Sequence, residues 1–208
     1  MIEIYEILKK EFNKNGFRLY VIGGTTRDYL LKKELTDYDF VTDAMPSEMK
    51  TFLSNANYHF EKYGSVRLKV NGIKVDITTL RTENNYLDKR HPDSITFTKS
   101  LEEDYVRRDF TINAIYLDEN YKIVDFCGGF NDLNDKIIRF IGDPSTRIKE
   151  DPLRIIRAKR FADVLGFKIE ENTLKAINEL SYLTNELNPD KIKEEIRKGY
   201  KIKDDNLL

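Results

Sequence analysis

Hydrophobic positions at Ile4, Leu8 and Phe12 recur every four residues, the spacing of one helix face, so an amphipathic helix opens the chain and Asn15-Gly16 stops it. Phe17 to Ile22 then runs as a buried strand, broken sharply at Gly23-Gly24, after which Thr25 to Lys33 returns to helix formers. A short strand is predicted over Thr36 to Val41. Met45-Pro46-Ser47 opens a helix to about Leu53, with proline in the first turn, where its missing N–H costs nothing. Arg67 to Val70 and Ile73 to Leu80 flank Asn71-Gly72, a dipeptide that predicts a tight hairpin. Thr82 to Pro92 is polar and without period and reads as a loop before a strand at Ile95 to Thr98, and Ser100 with Glu103 has the capping-box pattern of a helix start. Ile112 to Leu117 and Tyr121 to Phe126 predict a second hairpin, closed by Gly128-Gly129. From about Pro144 alternation gives way to helical spacing. Asp151-Pro152 opens a helix that Gly166 ends, and Asn188-Pro189 opens another that ends near Gly199. This change of period puts a domain boundary near residue 140.

Composition narrows the class. Charged residues make up 34% of the 208 positions, yet 35 Lys and Arg against 36 Asp and Glu leave a net charge of -1. That balance excludes a uniformly basic nucleic-acid coat and a disordered polyelectrolyte, so any basic patch is local. The single Cys127 forbids an internal disulfide, and His59 and His91 have no partner at metal-ligand spacing. The N-terminus lacks the apolar stretch of a signal peptide, and no run approaches the ~20 apolar residues of a membrane span. A soluble cytoplasmic protein is expected.

Chemistry concentrates in a few places. Asp37 and Asp39 lie two apart on the predicted strand, so both carboxylates project to one face while Tyr38 and Phe40 face the core. Two Mg²⁺ ions are the usual answer to such a pair, because hard cations take oxygen ligands and leave positions for water and phosphate. Asp76 repeats the pattern, flanked by core-facing Val75 and Ile77. Taken alone, Asp-x-Asp is more often a solvated strand edge with acidic gatekeepers. Gly23-Gly24 before Thr25-Thr26-Arg27-Asp28 offers backbone N–H groups and a guanidinium to an anion, although Gly-Gly before a helix is more often just a tight turn. A phosphate cradle about a dozen residues ahead of an acid pair is the layout of phosphoryl or nucleotidyl transfer.

Two further groups have equally local readings. Arg107-Arg108-Asp109, with Asn113, could hold a ribose or a phosphate, or simply end a helix with its arginines toward the dipole. Glu150, Asp151, Arg154 and Arg157 share a helical face or its leading turn, where a carboxylate and a guanidinium fork could read a nucleobase edge. Seen alone, such a face is more often a set of salt bridges on a solvated helix. Arg147, Lys149, Lys159 and Arg160 add local positive charge that suits an RNA backbone.

Together these residues resemble a family. The segment GGTTRDYLLKKELTDYDFVTDAMPSEMKTFL is similar to the signature of the bacterial-type, class II tRNA nucleotidyltransferases, the CCA-adding enzymes, and of the related bacterial poly(A) polymerases. DITTLRT, NYLDKRHPDSITF, RRDFTINAI, DFCGG with DLNDKIIRFIGDP, and EDPLRIIRAKRFADVLGF follow in the family's order, so the resemblance covers about Phe17 to Phe167. Several ordered motifs of this length are far more specific than any one of them.

The resemblance implies an α+β fold: a polymerase-beta-like nucleotidyltransferase head of mixed sheet with helices over residues 1–140, then a small helical neck over 141–208. It implies a template-independent enzyme that adds C and/or A from CTP and ATP to the 3′ end of tRNA or a similar RNA. Asp37 and Asp39 would hold two Mg²⁺ ions, and Asp76 would activate the RNA hydroxyl. Gly24 and Arg27 would grip the triphosphate, Arg108 and Asp109 would sit at the ribose, and Asn113 would assist. Glu150, Asp151 and Arg154 would read the incoming base, with Arg157 and Arg160 toward base and phosphates. Tyr86, Asp88 and Arg90 would belong to a flexible loop that re-shapes the pocket for ATP.

Departures from the pattern matter. Thr25-Thr26 stands where the family has a small or aliphatic pair, and Lys191 in NPDKIKEEIRKGY stands where it has an arginine. The family's helical body and tail, which grip tRNA, are expected to be largely missing. RNA affinity is therefore expected to be weak and salt-sensitive unless the protein dimerises or uses its last helix, Pro189 to Lys198, as a grip. An A-adding or poly(A) specialist is the alternative within the enzyme class, and a non-catalytic RNA-binding remnant the alternative outside it. Against the remnant, three carboxylates left without cations on one face would be an electrostatic cost.

Overall fold

In the computed structural model, residues 1–35, 38–84 and 94–199 are described, so Asp37, Tyr86, Asp88 and Arg90 lie outside the described residues. The chain divides into two compact units. One comprises Met1–Glu83, Ile95–Arg108 and Asn113–Gly129, the other Asn84–Ser94, Asp109–Ile112 and Phe130–Leu208.

The first unit opens with α1 (Ile2–Lys14), which buries Ile4, Tyr5, Leu8 and Phe12. The Tyr5 hydroxyl donates to the Leu19 carbonyl at 2.7 Å, tying α1 to β1 (Leu19–Val21). Helix α2 (Gly23–Leu30) starts at the glycine pair itself, two residues earlier than the sequence pattern places it. There follow β2 (Asp39–Thr42), α3 (Pro46–Phe52), β3 (Ser65–Val70) and β4 (Ile73–Thr79). Asn71 and Gly72 both take positive φ, 50° and 80°, as a type I′ turn demands, so β3 and β4 pair with Val70 opposite Ile73. The stretch read as loop from Thr82 begins instead as β5 (Arg81–Asn84), which pairs with β6 (Ser94–Phe97) in a separate two-stranded sheet. Polar residues there hid a strand whose partner lies across the intervening segment.

Ser100 caps α4 (Leu101–Asp104) by accepting the Glu103 N–H, as the sequence predicts. The second hairpin is shorter than its apolar runs: β7 (Tyr116–Leu117) and β8 (Ile123–Val124). Among the described residues the main sheet has the order β3-β4-β2-β1-β7-β8. It is mixed, because β2 runs parallel to β4 while the other neighbours are antiparallel. One face carries Phe40, Val66, Val75 and Ile77 into a core shared with Tyr5, Leu8 and Phe12 of α1.

The second unit holds most of α5 (Gly129–Asp135), then β9 (Ile137–Ile138), α6 (Pro144–Glu150) and α7 (Leu153–Leu165). After these come β10 (Lys168–Ile169), α8 (Glu171–Glu179) and α9 (Pro189–Arg197). Gly166 at φ 70° ends α7, and the following β10 turns back to pair in parallel with β9, a two-residue strand within a region read as helical. Phe110 stacks on Phe140 and meets Phe161 edge-on, anchoring this unit's core. Among the described residues no helix is long and apolar enough to cross a membrane.

Candidate active site

In the first unit, parallel pairing sets Asp39 of β2 opposite Asp76 of β4, and Phe40 opposite Ile77. Phe40 and Ile77 point into the core, so alternation puts both carboxylates on the other face. Neighbouring strands lie ~4.8 Å apart, which makes the two acids side-by-side oxygen donors. Asp76 also registers with Arg67 of β3, whose Nε lies 2.7 Å from Asp76 Oδ1. The expected set of partnerless carboxylates is corrected in this respect: Asp76 has a guanidinium partner. The signal was present in the sequence, since equal steps back from Asn71-Gly72 place Arg67 opposite Asp76.

The turn from β1 into α2 abuts the acids. Gly23 has φ 69°, and a Cβ there would lie 3.3 Å from Asp39 Oδ2; a Cβ on Gly24 would lie 3.4 Å from a terminal nitrogen of Arg27. Both glycines therefore sit where the main chain passes close to a charged side chain. Thr25 accepts the Asp39 N–H at 2.7 Å. Arg27 is buried, giving one bond to Asn113 Oδ1 at 2.8 Å and two to the Asp28 carboxylate, each at 2.9 Å. Asn113, from a distant motif, thus orients the Arg27 guanidinium. These donors fit a hard divalent cation: two carboxylates on adjacent strands, one of them half-exposed and paired with an exposed arginine.

Arg108 lies in an ionic network centred on Asp104, which the sequence reading did not single out. The fully buried Asp104 carboxylate takes Arg107 and Arg108 at 2.8 Å each, the Tyr116 hydroxyl at 2.8 Å and the Arg81 N–H at 3.1 Å. Burial alone would raise its pKa, but the two guanidiniums and these hydrogen bonds reverse the effect and hold it below the usual carboxylate range. Arg107 also reaches Glu83 at 3.3 Å, joining β5 to the network. The spacing of Asp104 to Arg107 and Arg108, three and four residues, was the available signal.

In the second unit, Asp143 caps α6 by accepting the Thr146 N–H at 2.8 Å, and Asp151 at its end accepts the Leu153 N–H at 3.0 Å, opening α7. Glu150 Oε2 receives Arg147 at 2.5 Å and Arg154 at 2.7 Å. Arg154 also donates to the Arg147 carbonyl at 2.8 Å. Asp109 accepts from Arg157 Nε at 2.9 Å, and Arg160 Nε lies 2.7 Å from the buried Glu195 of α9. Burial opposes the charge on Arg157, yet Asp109 and Glu195 outweigh it and raise its pKa. The structure therefore brings together Gly24, Arg27, Asn113, Asp39 and Asp76 in one unit. In the other it gathers Glu150, Asp151 and Arg154, and separately Asp109, Arg157 and Arg160. Arg108 stands in the Asp104 network.

Residues 19–139 match the family model described as the poly A polymerase head domain, more than half of the chain. The chain belongs to the poly A polymerase head domain family. Over 183 residues it is 44% identical to the CCA-adding enzyme of Pediococcus pentosaceus, covering 88% of this chain and 46% of that protein. Identity to the Enterococcus faecalis CCA-adding enzyme is 43%, over 88% of this chain and 45% of that one. The chain spans about half the length of the curated relatives it matches. The crystal structure of the Bacillus stearothermophilus CCA-adding enzyme in complex with CTP superposes with a TM-score of 0.84 at 34% identity, covering 92% of this chain and 46% of that one. A tRNA nucleotidyltransferase complexed with a primer tRNA and an incoming ATP analog superposes with a TM-score of 0.71 at 34% identity, covering 94% of this chain and 54% of that one. The α+β fold of this family member is the nucleotidyltransferase fold of those enzymes.

Proposed function

We propose that this chain carries out Mg²⁺-dependent, template-independent transfer of C and A from CTP and ATP to the 3′ end of tRNA, a reading supported by its similarity to proteins named CCA-adding enzymes. One observation carries the reading: Asp39 and Asp76 are paired across parallel strands, beside a glycine turn whose helix presents Arg27. In this reading Asp39, together with Asp37, holds the metal, and Asp76 accepts the proton of the attacking 3′-hydroxyl. When bound, Mg²⁺ supplies charge neutralisation at the phosphates and alignment of the attacking and leaving oxygens. Arg27, braced by Asn113 and Asp28, binds triphosphate oxygens through its guanidinium, and the α2 N–H groups add a second set of donors.

The division of labour is a head of residues 1–140 that does the chemistry and a neck of 141–208 that reads the base. Glu150 holds Arg154 in one orientation, so a planar fork and the neighbouring Asp151 can discriminate cytosine and adenine edges without a nucleic-acid template. Asp109 does the same for Arg157. Arg108 and Asp109 serve the ribose, Arg160 the phosphates, and Tyr86, Asp88 and Arg90 the adaptation to ATP. We place this activity in the cytoplasm.

The experiment is incubation with Mg²⁺ and a tRNA ending at its discriminator base, with labelled CTP alone, ATP alone, or both. Two additions with CTP alone and a third with both nucleotides are expected. Incorporation of neither by the folded protein would overturn the reading. The family description itself favours a second reading, A addition, and a ladder of A with ATP alone on the same tRNA would select it.

A further inference from the structure

We propose that Thr25 is a positioning residue for the metal-binding carboxylate Asp39. The inference deepens the function proposed above and rests on the metal role of Asp39 in it.

Asp39 is the first residue of β2, and its backbone is held from two sides. Its carbonyl accepts the Ile22 N–H at 3.2 Å, continuing the β1 to β2 ladder. Its N–H donates to the Thr25 hydroxyl at 2.7 Å. Thr25 is 1% exposed and lies in the first turn of α2, so this bond is made away from solvent. The same turn shapes the space for the side chain: Asp39 Oδ2 lies where a Cβ on Gly23 would come to 3.3 Å. The start of α2 therefore holds Asp39 at its N–H, and Gly23 leaves room for its carboxylate.

A strand's first residue has its backbone only partly committed to the sheet, and a donor oxygen that wanders binds a cation less tightly than one already in place. The hydroxyl removes that freedom for Asp39.

The test compares Thr25→Val, which keeps shape and loses the acceptor, with Thr25→Ser, which keeps the acceptor. Mn²⁺ alone is titrated by electron paramagnetic resonance, and exchange of the Asp39 amide is followed by NMR, with thermal unfolding confirming the fold of each variant. Thr25→Val is expected to weaken Mn²⁺ binding about ten-fold and to speed Asp39 amide exchange by a similar factor, the scale of one lost buried hydrogen bond. Thr25→Ser is expected to restore both to within about two-fold of the parent. Should the methyl that replaces the hydroxyl unseat the helix, Thr25→Ala replaces Thr25→Val with the same expectation. Mn²⁺ binding unchanged by loss of the hydroxyl, or none by the parent protein, would overturn the proposal. A parent that binds Mn²⁺ through a Thr25-dependent site yet incorporates no CTP or ATP would leave the positioning role standing and sink the proposed activity.

Discussion

Asp39 on β2 stands directly opposite Asp76 on the parallel strand β4, and Asp76 in turn stands opposite Arg67 on β3. Asp76 points away from the core face of Phe40, Val75 and Ile77 and is half-exposed, so its charge contributes little to folding. Replacing it with Asn should lower nucleotide incorporation by ~10²–10⁴-fold, the range for losing a general base. The lost ion pair with the exposed Arg67 should cost no more than ~1 kcal/mol. Incorporation rates beside a urea unfolding curve test both; a large stability loss would mean that the activity change was merely structural.

Arg67 is a competitor for any cation at Asp76, since its Nε holds Oδ1 at 2.7 Å with 58% of the side chain exposed. Arg67→Gln removes the competitor without touching the core. The Mg²⁺ concentration giving half-maximal incorporation should fall, by up to about five-fold, which is the free energy of a good surface pair. An unchanged or higher requirement would show that the guanidinium acts on the RNA instead.

Asp104 links folding to pH. Its folded carboxyl is held below the unfolded value, so its contribution is complete above ~pH 3.9 and drains away as pH falls further. Asp104→Asn removes the buried carboxylate that Arg107 and Arg108 share and should cost ~3–5 kcal/mol. Tyr116→Phe removes a single bond and should cost about 1 kcal/mol. Below about pH 4 the Tm of the parent should fall more steeply than that of Asp104→Asn. Parallel profiles from calorimetry would remove Asp104 from this role.

Thr26 buries a hydroxyl for which the described residues provide no hydrogen-bond partner. Thr26→Val conserves shape and removes the unsatisfied group, so it should be neutral or stabilising by up to ~1 kcal/mol. Incorporation should be unchanged, because no binding or catalytic role falls to Thr26. A Tm drop of several degrees would show that the hydroxyl is bonded after all, through an ordered water.

Parts of the site were legible before any coordinates. The Asn71-Gly72 turn alone determines that Arg67 faces Asp76, because a two-residue hairpin has one register. Gly23-Gly24, the alternation around Asp76 and the capping residues Ser100 and Asn188 are likewise properties of adjacent residues. The family motifs located Arg27 and Asn113 but not the bond between them. Asp104 escaped notice because an acid at helical spacing from two arginines reads the same whether it is solvated or fully buried.

The sequence by itself determined the local elements, the hairpin register and the order of the motifs, because each depends on backbone preference and side-chain period over a few contiguous residues. Only the tertiary structure decided that β2 runs parallel to β4, that Asp39 meets Asp76, that Thr25 takes the Asp39 N–H, and that Arg27 reaches Asn113. Those contacts join residues far apart in the chain. Their register is chosen by how Phe40 and Ile77 fill the common core, and a slip of one residue would turn the acids inward.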